Sequence, residues 1–580
     1  MNRNRHRGIS LLLVTIMLLA GCSGQVDEPG GQVSGGDGLD SRGCMDQSAT
    51  NYNPDAKDGD SSLCTYEDEV EISEVPISIP HTDGCDDTNP IRCMLPFPSD
   101  AFLRTDESSE TGLRVNYSPN SIPGSGLSPE VHIPILNTID GHSPSTQIMT
   151  AFYSDPVVSE LAGQFSIGKS LNASHPTLLV NLETMDLVPH WVELDVRSEE
   201  DQPTILHIRT IRSLDHNTPY AVAIRSLVDS QGDAIVPHEG FSAIRDGIVT
   251  DSPDIESRRE KFESLFTQLS TISDFSRDDL QAAWSFHTAS TESLIGDVLE
   301  MRNDALIRIG PHGLGCTVED KSEVYVDGNR SHWLVTGTYT APQYTESFYA
   351  PTLISRDENG TPQFVENREI PFWLLIPNSA NESGKAAPLT IWGHGFLGDG
   401  NTSGLRGWAN ENNVAMLGTS FYGWSSDDVI SIEYAVVNIG FFQHQAERLQ
   451  QAMINQVVMT RTFSKSGACS SLPEFTNSYN GNQLVNTDQA TYTGYSNGGL
   501  RGPSIIGLSP DLHRGVLWAG GSGFSHIIER CTQYDRFYDP FSSIIGYASQ
   551  IDRAIVMSVA QYLWDPTETE TFLYLMQDGY

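Results

Sequence analysis

The spacing of apolar residues changes its character along the 580-residue chain. Between about residues 76 and 250, short apolar runs alternate with Pro, Gly, Asp and Asn, a pattern typical of β-strands and turns. Over residues 251–322, apolar residues recur at three- and four-residue steps, which predicts a helical connector. From residue 323 to residue 580, strand-like and helix-like runs alternate, which predicts a mostly parallel, doubly wound sheet. The predicted fold is therefore multidomain, with a β-rich domain before an α/β domain.

Predicted strands lie in both domains. In the β-rich domain, the strands are expected at residues 177–182, 187–196, 204–211 and 220–224. In the α/β domain, they are expected at residues 333–340, 369–376, 387–392, 414–419, 491–493, 515–519 and 572–576. Apolar spacing also predicts an amphipathic helix over 439–462 and a second helix over 500–508. Segment 220–232 resembles the end of an immunoglobulin-like sandwich, which is the fold that we expect for the β-rich domain, residues 76–250.

The N-terminus has the features of a secretory signal. Three arginines precede an apolar run at residues 9–19, which is too short to span a bilayer. The run ends in L-A-G-C, with the cysteine at Cys22, and resembles the lipobox of bacterial lipoproteins. This resemblance implies a signal peptide with its lipobox over residues 1–22 and attachment of lipid to the Cys22 thiol. The alternative is an ordinary cleaved signal with a coincidental cysteine.

The residues after this cysteine bear on location. Ser23, rather than Asp, follows Cys22, which by the sorting pattern of such lipoproteins favours the outer membrane or the cell surface. Residues 23–43 are rich in Gly, Asp and Ser and offer little apolar surface to bury, so we expect a flexible tether. The predicted partner at this end is the membrane, because each buried methylene of an acyl chain contributes about 0.8 kcal/mol.

A small acidic module follows at residues 44–66. Cys44 and Cys64 bracket it, and its sequence resembles a short repeat of bacterial surface proteins, G-C-x-D-x-x-A-x-N-Y-N-P-x-A. Carboxylate oxygens at high density can hold calcium, and the candidate ligands here are Asp55, Asp58 and Asp60. The alternative is an acidic spacer stapled by a disulfide.

The chain has eight cysteines, and export favours disulfides. Besides the bracketing pair of the acidic module, Cys85 and Cys93 can close a short loop. With Cys22 assigned to lipid, three cysteines remain: Cys316, Cys469 and Cys531. An odd number leaves one thiol unpaired, or places its partner in sequence that is missing.

The composition limits the class of partner. The formal net charge is −41, and so acidic a surface repels the phosphates of nucleic acid. Such a charge fits a soluble extracellular protein. The hydrophobic content of 38% is sufficient for a packed core, and the length suggests two or three domains.

The hexapeptide at residues 494–499, G-Y-S-N-G-G, contains the G-x-S-x-G pattern of the nucleophile elbow of α/β-hydrolases. In that elbow a serine, here Ser496, lies on a sharp turn between a strand and a helix. Small residues, here Gly494 and Gly498, must flank it because the turn crowds its neighbours. The strand predicted before the motif and the helix predicted after it support this interpretation. A glycine-rich turn with an incidental serine is the alternative.

A second motif lies about 100 residues earlier, where H-G-F follows the predicted strand 387–392. In α/β-hydrolases the loop after this strand provides half of the oxyanion hole, whose backbone amides stabilise the developing alkoxide. We expect the two donors to be the N–H groups of Phe396 and Asn497. His394 is expected to brace the loop, because a triad histidine follows the serine in this fold.

The remaining triad members are harder to place. Their order along the chain is serine, acid, histidine, and His513 and His526 both come too early for the final loop. Asp578 is the only acid at the end of the predicted strand 572–576. The sequence stops where a polar turn begins, so we expect an α/β domain that is truncated at its C-terminus, with the histidine beyond Tyr580.

These segments form an ordered series over residues 85–580. Residues 93–102 (C-M-L-P-F-P-S-D-A-F), the immunoglobulin-like segment and the H-G-F and G-Y-S-N-G-G motifs together resemble the large secreted bacterial lipases called virulence-factor lipases. The resemblance implies hydrolysis of carboxylic esters, including lipids, through an acyl-enzyme on Ser496, with no required cofactor. Two alternatives are a surface binding or adhesion lipoprotein on a catalytically incomplete hydrolase scaffold, and a serine peptidase.

Overall fold

The computed structural model describes residues 42–47, 49, 51–65, 76–128, 131, 133–198, 202–534, 536, 546–547 and 549–577. The chain divides into two compact units, Met1–Glu74 and Val75–Tyr580. Cys22 and Asp578 lie outside the described residues, so the predicted lipid attachment and the predicted catalytic acid remain predictions.

The described part of the first unit is the acidic module. Two short strands, β1 (Arg42–Gly43) and β2 (Asp58–Gly59), pair in parallel, and a disulfide joins Cys44 to Cys64, the pair that brackets the module in the sequence. Asp60 caps a short 3₁₀ helix, because its side chain accepts a hydrogen bond of 3.0 Å from the Ser62 N–H.

Calcium binding by this module remains a prediction. Asp55 and Asp58 are exposed, and Asp60 is half-buried. Within the described ranges, no group of three or more His, Cys, Asp or Glu side chains is arranged to hold a metal ion.

The second unit contains the other regular elements. Its strands are β3 (Leu103–Thr105), β4 (Leu113–Val115), β5 (Ile148–Ala151), β6 (Thr177–Asn181), β7 (His190–Leu194), β8 (Ile205–Thr210), β9 (Pro219–Arg225), β10 (Leu280–His287), β11 (Cys316–Val326), β12 (Asn329–Gln343), β13 (Glu366–Pro377), β14 (Ala387–Gly393), β15 (Ala415–Gly418), β16 (Val485–Tyr495) and β17 (Gly515–Trp518). Its helices are α1 (Glu239–Asp246), α2 (Pro253–Leu269), α3 (Thr291–Ile309), α4 (Asn378–Ser383), α5 (Arg406–Asn412), α6 (Val429–Val437), α7 (Phe442–Phe463), α8 (Asn497–Leu508), α9 (Phe524–Ile527), α10 (Gln550–Trp564) and α11 (Leu573–Gln577).

The β-rich part is a small sandwich of two antiparallel sheets, with strand orders β10–β9–β6 and β5–β8–β7. Alternation along β9 explains how it is covered on both faces, since successive side chains point to opposite sides of a strand. Val222 and Ile224 pack in the core between the two sheets. Ala221 and Ala223 instead pack in a second core, together with Phe262 of α2.

Two sequence predictions for this part are corrected. Each sheet has three strands, rather than the four and three of an immunoglobulin-like sandwich. One of these strands, β10, lies within residues 251–322, which were predicted to be a helical connector; that segment also holds α2, α3 and the start of β11. Leu280, Ala282, Trp284 and Phe286 do alternate along β10, but this strand lies between α2 and α3, whose helical spacing led to one assignment for the whole segment.

The α/β part is built on one seven-stranded sheet, with the order β11–β12–β13–β15–β14–β16–β17. Its first three strands pair antiparallel, β13 is antiparallel to β15, and the last four strands run parallel. Parallel and antiparallel pairs are therefore equal in number, which corrects the prediction of a mostly parallel sheet. The tight turn between β11 and β12 consists of Asp327 and Gly328, whose positive φ values of 50° and 79° suit a two-residue hairpin.

Helices cover both faces of this sheet. On one face, Ala409 of α5 packs on Trp392 and Met416. On the other face, α7 and α8 both pack on the sheet and contact each other, and α7 also contacts α3 and α10. The helix predicted over 439–462 is therefore present as α7, but nearly all of its 22 residues are buried, so it is a central helix rather than an amphipathic surface helix. No described helix is long and apolar enough to cross a membrane.

The last described segment also differs from the sequence prediction. Residues 572–576 were predicted to be a buried strand, but the chain forms a 3₁₀ helix, Glu570–Phe572, followed by α11. Phe572 and Leu575 are buried against the core. A short apolar run of this kind suits a helix as well as a strand, because its periodicity alone does not distinguish them.

Two further disulfides lie in the second unit. Cys85 is bonded to Cys93, the pair expected from their spacing, and Cys316 is bonded to Cys469. The second bond links the start of β11 to the segment after α7, across 153 residues of sequence. Cys531 is the free thiol among the described cysteines.

Candidate active site at the carboxyl ends of β14 and β16

The winding of the chain creates a crevice at one edge of the sheet. From β14 the chain crosses to β15 on one side, and it then returns to place β16 on the other side of β14. At such a switch point, the loops after the two neighbouring strands separate and leave room for a ligand. Gly393 at the end of β14 is the register partner of Gly494 near the end of β16, so the two predicted motifs meet here.

Ser496 occupies the sharp turn between β16 and α8. Its φ of 52° and ψ of −115° lie in a region that residues other than glycine rarely adopt. Hydrogen bonds hold the backbone in this state, since the Ser496 N–H donates to Trp518 O at 2.9 Å and Leu500 N–H donates to Ser496 O at 2.8 Å. The serine is half-buried, as expected for a nucleophile presented at a cavity.

The flanking glycines are required by the close approach of three backbone segments. A Cβ on Gly494 would lie 2.2 Å from Gly498 O, and a Cβ on Gly498 would lie 2.0 Å from Gly393 O. Both distances are far below contact, so a larger residue would push β14, β16 and α8 apart. The packing of this turn accounts for the G-x-S-x-G spacing.

The H-G-F loop lies directly beside the serine. Gly498 N–H donates to His394 O at 2.9 Å, and a Cβ on Gly395 would lie 3.4 Å from Ser496 Cβ. Asn497 is the first residue of α8, a position at which the N–H has no acceptor within the helix. Phe396, Ser496 and Asn497 all line one cavity. The structure thus brings the predicted oxyanion residues together, and the role of their two amides remains a prediction.

His394 braces this loop through both ring nitrogens. Its Nε2 accepts from the Phe421 N–H at 2.7 Å, so its Nδ1 carries the proton and donates to Gly395 O, also at 2.7 Å. Burial lowers its pKa and keeps the ring neutral. With its acceptor nitrogen occupied, His394 is a structural residue, as the sequence indicated.

Neither later histidine reaches the cavity. His526 Nδ1 lies 2.8 Å from Arg209 Nη1 on the β-rich part, and burial lowers the pKa of His526 to about 3. His513 is exposed in the loop before β17, at the opposite end of the parallel strands from Ser496. No histidine is present among the described residues that line the cavity. The base of a triad is therefore not identified within the described ranges.

The cavity has a volume of about 310 Å³ and a mainly apolar wall of aromatic and aliphatic side chains. Trp424 packs against Phe396, with ring centroids 4.4 Å apart, and against Trp564, with centroids 5.0 Å apart. Phe524 lies 4.8 Å from Trp564 and 5.1 Å from Phe442 by the same measure. Such a wall excludes water and accommodates an apolar part of a ligand.

Two charged residues of the cavity were missed in the sequence. Arg501 and Glu568 are each 1% exposed and line the cavity with Ser496. Arg501 lies within the predicted helix 500–508, where an arginine is ordinarily a solvated residue. Glu568 belongs to the acidic run 565–570. Their burial depends on α10 and the segment after it, which fold back over α8.

Comparison with known proteins gives only distant similarities. No protein-family model matches the chain, and no curated protein matches it significantly. An acetyl xylan esterase from Paenibacillus sp. has 12% sequence identity and a TM-score of 0.26, with 49% of this chain and 84% of that chain covered. The acetyl xylan esterase 1 from Thermoanaerobacterium sp. has 11% identity and a TM-score of 0.26 over the same shares. A glucuronoyl esterase from Teredinibacter turnerae has 10% identity and a TM-score of 0.22, with 45% and 58% covered. Such low values support no statement about activity.

Substitution of Gly498 tests the packing of the turn. In Gly498→Ala, the new Cβ meets Gly393 O, so we expect a loss of about 1–3 kcal/mol in the free energy of unfolding and a lower Tm. Gly407→Ala in α5 is the matched control, because its Cβ meets nothing within 4 Å. Thermal unfolding followed by tryptophan fluorescence measures both. Equal Tm values for the two variants would contradict the close approach.

The pH dependence of stability tests the hydrogen bonds of His394. Its folded-state pKa lies below the unfolded value of about 6.5, so the unfolded chain binds more protons at acid pH. The stabilisation is therefore complete above about pH 6.5 and is lost as the pH falls. We expect a smaller fall in the free energy of urea unfolding between about pH 7.5 and about pH 5.5 for His394→Gln than for the wild type.

Comparing His394→Gln with the wild type isolates the contribution of His394, because the other buried titratable groups are the same in both proteins. His142 and His207, whose pKa values burial lowers to about 4, act in the same direction in both proteins. Asp565, whose pKa burial raises to about 7, opposes them in both. An identical pH dependence in variant and wild type would show that the His394 ring does not hold the loop.

Proposed function

We propose that the protein is a serine hydrolase that cleaves carboxylic esters through an acyl-enzyme. The observation that carries this proposal is the backbone of Ser496, held at φ 52° between a parallel strand and a helix and beside the H-G-F loop. Strain of this kind persists only where the surrounding structure enforces it, and it is concentrated at functional sites. An incidental serine in a glycine-rich turn needs none of these constraints.

The proposed reaction has two stages. In the first stage, Ser496 Oγ attacks the ester carbonyl. A bond forms between Oγ and the carbonyl carbon, and the carbonyl oxygen gains the negative charge. The N–H groups of Phe396 and Asn497 are the proposed donors to that oxygen, and one such donor contributes roughly 3–4 kcal/mol to lowering the barrier. As the ester C–O bond breaks, the proton removed from Ser496 Oγ passes to the leaving alcohol oxygen. Water then adds to the acyl carbon, its proton passes to Ser496 Oγ as the acyl–serine bond breaks, and the acid is released. A general base takes and returns these protons, and Asp578 is the proposed acid that orients it.

The cavity supports an ester substrate with an apolar part. Its wall is formed mainly by aromatic and aliphatic side chains, and its volume of about 310 Å³ accommodates a small ester rather than a long acyl chain. A lipid ester remains a proposed substrate, because the chemistry at its carbonyl is the same. Two other functions are outcomes of the test below: a binding protein on an inactive scaffold, and a serine peptidase.

Replacement of the serine tests the enzymatic proposal. Ser496→Ala is expected to lower kcat/KM for p-nitrophenyl butyrate by at least about a thousandfold and to abolish labelling by a fluorophosphonate. Ser522→Ala is the matched control, because this serine lines the same cavity and donates to Glu570 Oε1 at 2.5 Å; it should retain the label.

Each other outcome identifies an alternative. A wild-type protein without an adduct at Ser496 would favour the binding protein. Cleavage of peptide anilides in preference to p-nitrophenyl esters would indicate the peptidase.

We also propose that lipid on Cys22 anchors the protein at the bacterial outer membrane or cell surface, an inference that rests on the lipobox-like sequence. Cells grown with an alkyne-tagged fatty acid should yield labelled wild-type protein and unlabelled Cys22→Ser protein. Cys531→Ser, which removes the free thiol of the described residues, is the control and should keep the label. Labelling of Cys22→Ser equal to wild type would contradict the anchor.

A further inference from the structure

Buried polar side-chain atoms without a hydrogen-bond partner occur at several places in the described residues, and five of them belong to residues that line the cavity. These five are Trp424 Nε1, Gln445 Oε1, Asn497 Nδ2 and both Nε and Nη1 of Arg501. Buried polar atoms are nearly always paired in folded proteins, because an unpaired one costs free energy. Several of them around one nucleophile indicate a cavity built to bind polar atoms of a ligand.

The two donors next to the nucleophile lie on one face of α8. Asn497 and Arg501 are four residues apart, a spacing that places side chains one above the other on a helix. They are 3% and 1% exposed, respectively. Both belong to the first half of a 12-residue helix, whose amino end favours negative charge. The pair therefore presents unpaired N–H donors to whatever binds beside Ser496.

The environment of Arg501 fixes its orientation and leaves its donors available. The guanidinium carbon lies 4.9 Å from the centre of the Trp564 ring, a stacking contact that leaves the N–H groups in the guanidinium plane. Burial lowers the pKa of Arg501 to about 10, with Glu568 acting in the opposite direction, so the side chain stays charged at neutral pH.

The nearby carboxylate is already committed to other donors. Glu568 Oε2 accepts from Phe524 N–H at 3.0 Å and from Gln561 Nε2 at 3.3 Å. Glu568 Oε1 accepts from Thr569 N–H at 2.8 Å. Glu568 thus offsets the charge of Arg501 at a distance without occupying its Nε and Nη1 hydrogens.

We propose that the cavity binds esters that carry a free carboxylate, in either the acyl or the alcohol part, and that Arg501 and Asn497 bind this carboxylate. The inference rests on the proposed hydrolase function and names its substrate class. A guanidinium offers paired N–H groups that match the two oxygens of a carboxylate. Inside a mainly apolar wall such a contact is stronger than in water.

The net charge of the protein does not attract an anionic ester, so any preference for one depends on contacts within the cavity. At a formal net charge of −41, the protein repels anions at long range. A preference for an anionic ester must therefore come from buried donors in the cavity.

Matched pairs of esters test the proposal. For the acyl part, p-nitrophenyl hydrogen succinate is compared with its neutral methyl ester; for the alcohol part, p-acetoxybenzoate is compared with p-acetoxybenzamide. We expect kcat/KM to favour the anionic member of at least one pair by at least about tenfold. The pair that shows the preference identifies the part of the ester that carries the carboxylate.

Variants assign the preference to the arginine. Arg501→Met should bring the anionic-to-neutral ratio close to one, and Arg501→Lys, which keeps the charge without the planar fork, should give an intermediate ratio. Arg461→Met is the matched control and should leave the ratio unchanged, because this arginine pairs with Asp511 outside the cavity. Ratios close to one for the wild type in both pairs, with hydrolysis intact, would overturn the inference while leaving the proposed function.

A binding measurement separates this failure from failure of the proposed function. Titration calorimetry with phenyl hydrogen succinate on Ser496→Ala needs no catalysis. We expect Ser496→Ala to bind this compound, and we expect Ser496→Ala/Arg501→Met to bind it with an affinity lower by at least about tenfold. Equal affinity in the two proteins would overturn the carboxylate site even if no ester is hydrolysed.

Discussion

Where β14, β16 and α8 meet, three glycines bring main chains closer than any side chain permits. The Gly498 N–H bonds to the H-G-F loop, while Gly393 and Gly494 are register partners in the sheet. Ser496 lies in the turn between these glycines, at a positive φ that a serine adopts only when the surrounding structure enforces it. The position of the hydroxyl, its distance from the loop and the start of α8 all follow from this approach.

Around that turn, the polar residues divide into two groups by their hydrogen bonds. His394 and Glu568 are buried with their acceptors occupied, so they act as fixed parts of the scaffold. Asn497 and Arg501 are equally buried, yet they hold donors without a partner among the described residues. Since an unpaired buried donor lowers stability, we infer that the donors of Asn497 and Arg501, which line the same cavity as Ser496, bind a ligand. This contrast carries both the proposed site and its proposed substrate class.

The spacing of glycines and apolar residues predicted the elements around Ser496. The strands β14 and β16, the turn at Ser496 and the helix after it were all expected from the glycine spacing and the apolar runs. The strand β10 was missed although its apolar residues alternate, because it lies between two helices whose three- and four-residue spacing dominates the segment. Residues 572–576 were assigned to a strand because five apolar residues do not define a period.

The residues that distinguish this cavity depend on tertiary contacts, which no local pattern encodes. Arg501 lies beneath Trp564 of α10, with its guanidinium carbon 4.9 Å from the centre of that ring. Glu568 reaches the same cavity only after the chain has turned back at the end of α10, and the Cys316–Cys469 bond joins segments 153 residues apart. The sequence indicated the turn that carries Ser496, whereas the groups that surround this serine required the fold.

The central claim is that the turn presents Ser496 to an oxygen anion held by two main-chain amides. A crystal structure of the protein inactivated by diethyl p-nitrophenyl phosphate tests it most directly. The account predicts a phosphorus–oxygen bond to Ser496, with the phosphoryl oxygen about 2.7–3.1 Å from the amide nitrogens of Phe396 and Asn497. An adduct whose phosphoryl oxygen points away from both amides, or an unmodified Ser496, would contradict it.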